Sequence, residues 1–123
     1  MPHRVGVILS GCGFKDGAEI HESVLTLLAL DKLGCKIVCM APNIDQRRVV
    51  NHLTGQEVKE KRNVLAESAR IARGEIRDIT TVKVDELDAL ILPGGYGAAT
   101  NLSSFAIDGP KAEVNAEVTR LVR

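Results

Sequence analysis

Leu90-Ile91-Leu92-Pro93-Gly94-Gly95-Tyr96-Gly97 is an aliphatic run that stops at a proline, with glycines directly after it. A buried parallel strand ends this way when it delivers bare backbone N–H groups to a site at the carboxyl edge of its sheet. The run is too short for a core helix and carries no polar alternation, so it reads as a central strand over residues 88–92.

Working outward from it, Val5-Gly6-Val7-Ile8-Leu9 reads as a second buried strand and Ser10-Gly11-Cys12-Gly13 as the turn that ends it. Asp16-Gly17-Ala18 opens a helix whose apolar residues include Ile20, Val24, Leu27, Leu28 and Leu33, at spacings that make one helical face. Gly34 stops it, and Ile37-Val38-Cys39-Met40 is the next strand, ended by Ala41-Pro42-Asn43. A strand–helix–strand unit of this kind forces parallel strands and a right-handed crossover. Residues 46–53 fit an edge strand or a short helix, with Asn51-His52-Leu53-Thr54-Gly55 as a closing turn. Residues 62–73 have helical period, and Gly74 ends them. Residues 76–84 look extended, 84–87 make a helical turn, 98–105 a brief helix, and 111–123 a last helix. In a doubly wound α/β fold, a helix after the third core strand returns the chain to a fourth. The apolar face of residues 111–123 is therefore written for a partner sheet.

Composition narrows the function. A length of 123 residues is one domain's worth, and apolar content of 45% makes it globular. Sixteen basic residues balance sixteen acidic ones, and Phe14, Tyr96 and Phe105 are the only aromatics. This excludes a basic, ring-bearing nucleic-acid face. No apolar stretch approaches the ~20 residues of a membrane span. Cys12, Cys35 and Cys39 form neither an even set nor a zinc spacing, and the N-terminus passes straight into a strand-like run. The expected setting is the cytoplasm. His3, His21 and His52 have no ligand spacing, so no metal is expected. Gly11-Cys12-Gly13 with Gly17 imitates a dinucleotide fingerprint. However, Asp16 stands where the third glycine belongs, and no acidic residue ends the second strand to hold a ribose. No cofactor is expected.

The motifs also carry a resemblance. Val7-Ile8-Leu9-Ser10-Gly11-Cys12-Gly13, Asp16-Gly17, Glu19-Ile20-His21-Glu22, Asn51-His52-Leu53-Thr54-Gly55, Arg62-Asn63-Val64-Leu65, Pro93-Gly94-Gly95, Ala98 and Asn101-Leu102-Ser103 run in the same order in the ElbB family. That family is named for isoprenoid or lycopene biosynthesis and belongs to the PfpI-like branch of the class I glutamine amidotransferase-like superfamily. The resemblance spans nearly the whole chain. It implies a flavodoxin-like three-layer α/β sandwich with a mainly parallel sheet, and residues 1–123 as one such domain, incomplete at its C-terminus. It implies a glutathione-independent glyoxalase, a lyase that converts glyoxal or methylglyoxal to the hydroxy acid without metal. It also implies a small aldehyde as substrate and a homodimer.

The family's nucleophile is a cysteine on a sharp strand-to-helix turn, in a Cys-Ile-Ala-Pro-like motif. These 123 residues contain no such motif, and Cys12, Cys35 and Cys39 do not occupy its place. The expectation is a chain that stops before the nucleophile-elbow strand.

Onto this chain the resemblance carries Glu19 as the carboxyl group that orients the thiol and relays the proton of an enediol. The residues alone equally allow a first-turn glutamate favoured by the helix dipole. It carries Gly95, beside Gly94, as an oxyanion N–H donor; a tight turn needing positive φ is the plainer account. Gly11, Cys12 and Gly13 would line the pocket at the mouth of the first strand, with Cys12 equally readable as a small buried residue. His21, two residues after Glu19, would point elsewhere on the helix. His52 and Asn51 would face the pocket or make a turn. Asn63 would cap its helix. A non-catalytic module binding a small ligand or a partner is the other reading; glutamine amidotransfer would need a later histidine that is absent from these residues.

Overall fold

The computed structural model describes residues 2–123, and Met1 lies outside them. Its main sheet has four parallel strands: β1 (Arg4–Ile8), β2 (Lys36–Ala41), β5 (Arg77–Asp78) and β6 (Ala89–Ile91), in the order β5-β2-β1-β6. β1 is central. It pairs Val7 with Cys39 on one side and with Ile91 on the other. A separate antiparallel hairpin, β3 (Val49–Asn51) with β4 (Gln56–Val58), stands apart from this sheet.

Strand period sorts the core into two layers. Val5, Val7 and Leu9 face one side and pack with Ala18, Leu30 and Cys39 beneath α1 (Ile20–Lys32) and α2 (Val64–Ala72). Ile8 faces the other side and packs with Met40, Ile79, Val82 and Leu102. Gly6 shares that second face, where an added Cβ would come within 2.8 Å of Met40 and Leu90. Both helical crossovers step in the same direction along the sheet, so the right-handed rule puts α1 and α2 on one face.

Caps set the helix ends. Asn63 Oδ1 accepts from Ala66 N at 2.8 Å and starts α2. Arg73 in the left-handed region and Gly74 at φ 85° end it. Gly34 at φ 75° ends α1, where the Cys35 amide reaches back to Leu30 O.

Expectations change at three of the helices, and the extended reading of residues 76–84 gives way to a two-residue strand followed by a 3-10 turn over Ile79–Thr81. The first helix opens at Ile20 and not near Asp16, because Glu19 serves as its cap while residues 11–18 remain a loop. Residues 98–105 divide into α3 (Gly97–Thr100) and α4 (Phe105–Asp108), because buried Asn101 turns inward to bind the loop after β1. The last helix, α5 (Ala116–Val122), is shorter than 111–123. Pro110 lies in a 3-10 turn, Val114 bridges Ser103, and Asn115 caps the new start. Its Val118 and Leu121 are buried against this sheet's own second layer, so that face has found a partner within the described residues.

Candidate functional site

Three successive strands, β1, β2 and β5, step one way from the centre, and β6 then returns to the other side of β1. The order reverses between β1 and β6. In open α/β sheets the crevice at the carboxyl ends of two such strands is where ligands bind. The loops that leave it are 9–19 after β1 and 92–97 after β6.

Backbone bonds stitch these loops together. Glu19 N donates to Gly94 O at 2.7 Å, Tyr96 N to Phe14 O at 2.9 Å, and Gly97 N to Gly17 O at 2.9 Å. Gly95 has φ 115°, and an added Cβ would press on the Gly17–Glu19 backbone. A side chain is therefore excluded twice at this position, by conformation and by contact. Among the described residues, the Gly94 and Gly95 amides donate to no protein acceptor.

Two carboxylates flank this turn. Glu19 and Glu22 line a cavity of about 340 Å³ with Phe14, Gly95, Tyr96 and Ala99. Glu19 is committed on both oxygens. Its Oε2 accepts from Glu22 N at 2.7 Å as the α1 cap, and its Oε1 lies 3.2 Å from His21 Nδ1. The amide of Glu22 first, and His21 after it, hold the Glu19 carboxyl below its ordinary range. His21 and Glu19 do meet, against expectation. Glu19 is extended backbone outside the helix, so the i,i+2 divergence of a helix does not apply. Glu22 has no side-chain hydrogen bond or ion pair among the described residues, and its carboxylate lies over Gly94 so closely that a Cβ there would overlap it. Sequence reasoning passed over Glu22. The missed signal is its place one turn into a capped helix, where the side chain leans back toward the N-terminal end.

The pocket residues divide between two places. Gly94 is at the glycine turn with Glu19, Glu22 and Gly95. Cys12 lines a second cavity of about 340 Å³ beside it, with Asp16, Asn51, His52, Arg62 and Glu67. Gly11 and Gly13 belong to the loop between. The Gly11 amide donates to Ser68 Oγ of α2 at 2.8 Å, and the Gly13 amide to Ala18 O at 2.9 Å. Burial, with Glu67 adding to it, pushes the Cys12 thiol up, which disfavours the thiolate. Cys39 is buried on β2, and its thiol is also pushed up by burial.

Asn101, unassigned from sequence, ties the site together. Its Nδ2 donates to Ser10 O at 2.8 Å and Asp16 O at 3.0 Å, and its Oδ1 accepts from Arg47 N at 3.0 Å. Asp16, the residue that spoils the dinucleotide fingerprint, is buried and accepts from Val50 N at 2.8 Å. Among the described residues no group of three or more His, Cys, Asp or Glu side chains is placed to hold a metal ion, and no helix is long and apolar enough to cross a membrane.

Comparison with known proteins adds to this geometry. No protein-family profile matches the chain. It is 49% identical over 121 residues to the Homo sapiens glutamine amidotransferase-like class 1 domain-containing protein 3, mitochondrial, a match covering 98% of this chain and 45% of that protein. The Rattus norvegicus ES1 protein homolog, mitochondrial, is 49% identical over 98% of this chain and 46% of its own. The Danio rerio ES1 protein, mitochondrial, is 35% identical over 98% and 46%. The chain thus spans about half the length of the curated relatives it matches. The crystal structure of an isoprenoid biosynthesis protein with amidotransferase-like domain from Ehrlichia chaffeensis superposes with a TM-score of 0.91 at 46% identity, over 98% of this chain and 57% of that one. The flavodoxin-like α/β architecture is that of this neighbour.

The cytoplasmic expectation is corrected, because these three relatives are mitochondrial proteins. Unpaired cysteines report a reducing compartment and carry no address, so composition could not make the distinction. By sequence and by fold, this chain is similar to glutamine amidotransferase-like class 1 domain proteins.

Proposed function

We propose that this chain forms the oxyanion and acid–base half of an ElbB-type, glutathione-independent glyoxalase, whose cysteine nucleophile is supplied by polypeptide beyond these 123 residues. The observation that carries this is the pairing of two unengaged glycine amides with an unpaired carboxylate, Glu22, at the switch point of a parallel sheet. Addition of a thiolate to the aldehyde carbon of methylglyoxal puts charge on the former carbonyl oxygen, and the Gly95 amide is the donor for it. A carboxylate then moves the proton from that carbon to the neighbouring one through an enediol, and water releases the hydroxy acid. One carbon is oxidised as the other is reduced, so neither a metal nor an external redox partner enters. The link to isoprenoid biosynthesis rests on the name of the Ehrlichia chaffeensis neighbour.

Of the two carboxylates, Glu22 is the better proton carrier, since Glu19 is spent on the cap and on His21. The test is methylglyoxal turnover by the whole native gene product. Glu22→Gln is expected to lower kcat about 10²-fold or more, and Glu19→Gln to lower it less. Turnover by the isolated 123 residues, abolished by Cys12→Ser, would overturn the reading.

The second reading is a non-catalytic ligand- or partner-binding module. Its support is that no cysteine of this chain lines the glycine-turn cavity. We also propose a homodimer, the assembly that the resemblance to the ElbB family implies. Sedimentation of the chain as a monomer at tens of micromolar would count against it.

A further inference from the structure

The β3–β4 hairpin is fastened to the loop after β1 by a few polar contacts. Val50 N donates to Asp16 Oδ2 at 2.8 Å, and the Arg48 guanidinium donates to Lys15 O at 2.9 Å. The His52 ring lies against Gly13, where an added Cβ would come within 2.7 Å of it.

That ring is held in an unusual position. Its Nδ1 is 3.1 Å from Val50 O, and a carbonyl only accepts, so Nδ1 carries a proton in either charge state. Its Nε2 faces two groups of opposite demand. The Lys15 amide, a donor, is at 3.4 Å, and Asp16 Oδ1, an acceptor, is at 3.5 Å. A neutral ring can only accept from Lys15 there, and it turns a lone pair toward the Asp16 carboxylate. A protonated ring donates to Asp16 and completes an ion pair. The Asp16 side chain is 6% exposed, so a donor at Nε2 is worth more to it than one offered at the surface.

We infer that His52 is a proton-operated clasp, which closes the β3–β4 hairpin onto the 11–17 loop through Asp16 when the ring is charged and loosens it when the ring is neutral. The other charges around it do not compete for the ring. The Lys15 ammonium lies 5.5 Å over the Phe14 ring, and Arg48 is 3.7 Å from Glu57. In the Cys12 cavity, Arg62 pairs with both Glu60 and Glu67.

The clasp reaches the glycine-turn cavity through Phe14. The Phe14 ring meets His52 edge-on at 5.6 Å between centroids, and its carbonyl accepts from Tyr96 N at 2.9 Å. Phe14 is also a wall of that cavity. Neutralising His52 therefore frees one wall of the proposed active site.

The experiment is amide hydrogen exchange on the 123-residue chain between pH 5 and 8, the range in which imidazoles ordinarily change charge, corrected for intrinsic exchange rates. Protection of the Val50 amide is expected to fall about tenfold as pH rises, the worth of one charge-assisted hydrogen bond, while Val7 and Met40 are unchanged. In His52→Gln the dependence should vanish. A flat profile in the unaltered chain, or the same slope in His52→Gln, would overturn the clasp. A readout that needs no variant is the ring's nitrogen shifts: the neutral ring must carry its proton on Nδ1, and a neutral ring protonated on Nε2 would equally overturn the inference.

Discussion

Glu19 and Glu22 stand three residues apart, and position alone separates their duties. Glu19 is the last extended residue before α1, so its carboxylate curls onto the first helical amides. Glu22 is within the helix, and its side chain leans back over Gly94. Comparing Glu19→Gln with Glu22→Gln is thus a test of position more than of chemistry. The cap substitution should lower the urea midpoint, because the charged acceptor for the Glu22 amide is lost; the Glu22 substitution should leave it nearly unchanged. Gly95→Ala is expected to destabilise by roughly 1–3 kcal/mol, because a side chain at φ 115° is strained and has the Gly17–Glu19 backbone behind it. Urea denaturation measures it, and unchanged stability would mean that the turn relaxes. The glycine turn was legible from Pro93-Gly94-Gly95 alone. The choice between the glutamates was not, since it depends on which of them enters the helix.

At the scale of elements, caps and ion pairs hold the connections that the sheet leaves to local chemistry. Asn63→Ala should cost about 1 kcal/mol, read as a shift in the denaturation midpoint, because it removes the acceptor for Ala66 N and the bond to Asn43. The short 3-10 turn before β6 is fastened by Glu86. Its carboxylate accepts from Arg77 Nη1 at 2.9 Å and Lys83 N at 2.7 Å, and Arg77 chiefly holds it down to about 2 from 4.5. A depressed carboxylate contributes stability above its unfolded value and loses it as pH falls through the folded one. The stability gap between the unaltered chain and Glu86→Gln should therefore shrink between pH 4.5 and 2. A gap constant across that window would contradict the assignment. Helix α2 was readable almost to its ends, because Asn63 and Gly74 are local signals. Residues 46–53 were not, since Val49-Val50 among charges suits a strand or a helix equally. The buried Asp16 carboxylate, 34 residues away from Val50, settles the matter by accepting its amide.

At the scale of the whole molecule, α5 closes the second core layer. Leu121→Ala should cost about 2–5 kcal/mol, as buried leucines do, because Leu121 is 5% exposed among Ile8, Met40, Ile79 and Val118. Thermal unfolding with and without the substitution checks this, and a loss of a few tenths would mean that α5 is only loosely docked.

The parallel strands, the helices between them and the glycine turn at the carboxyl edge are all written in local sequence. Apolar runs, helical period and glycine placement act over a few residues and need no distant partner. Which chemistry-bearing groups meet is settled only when the chain folds. Folding puts Cys12 with His52 in one cavity and the glutamates with Gly95 in another, and it enlists Asn101 to bind Ser10 and Asp16 from far along the chain. Those meetings follow from strand order, which reverses at β1, and no local pattern encodes that order.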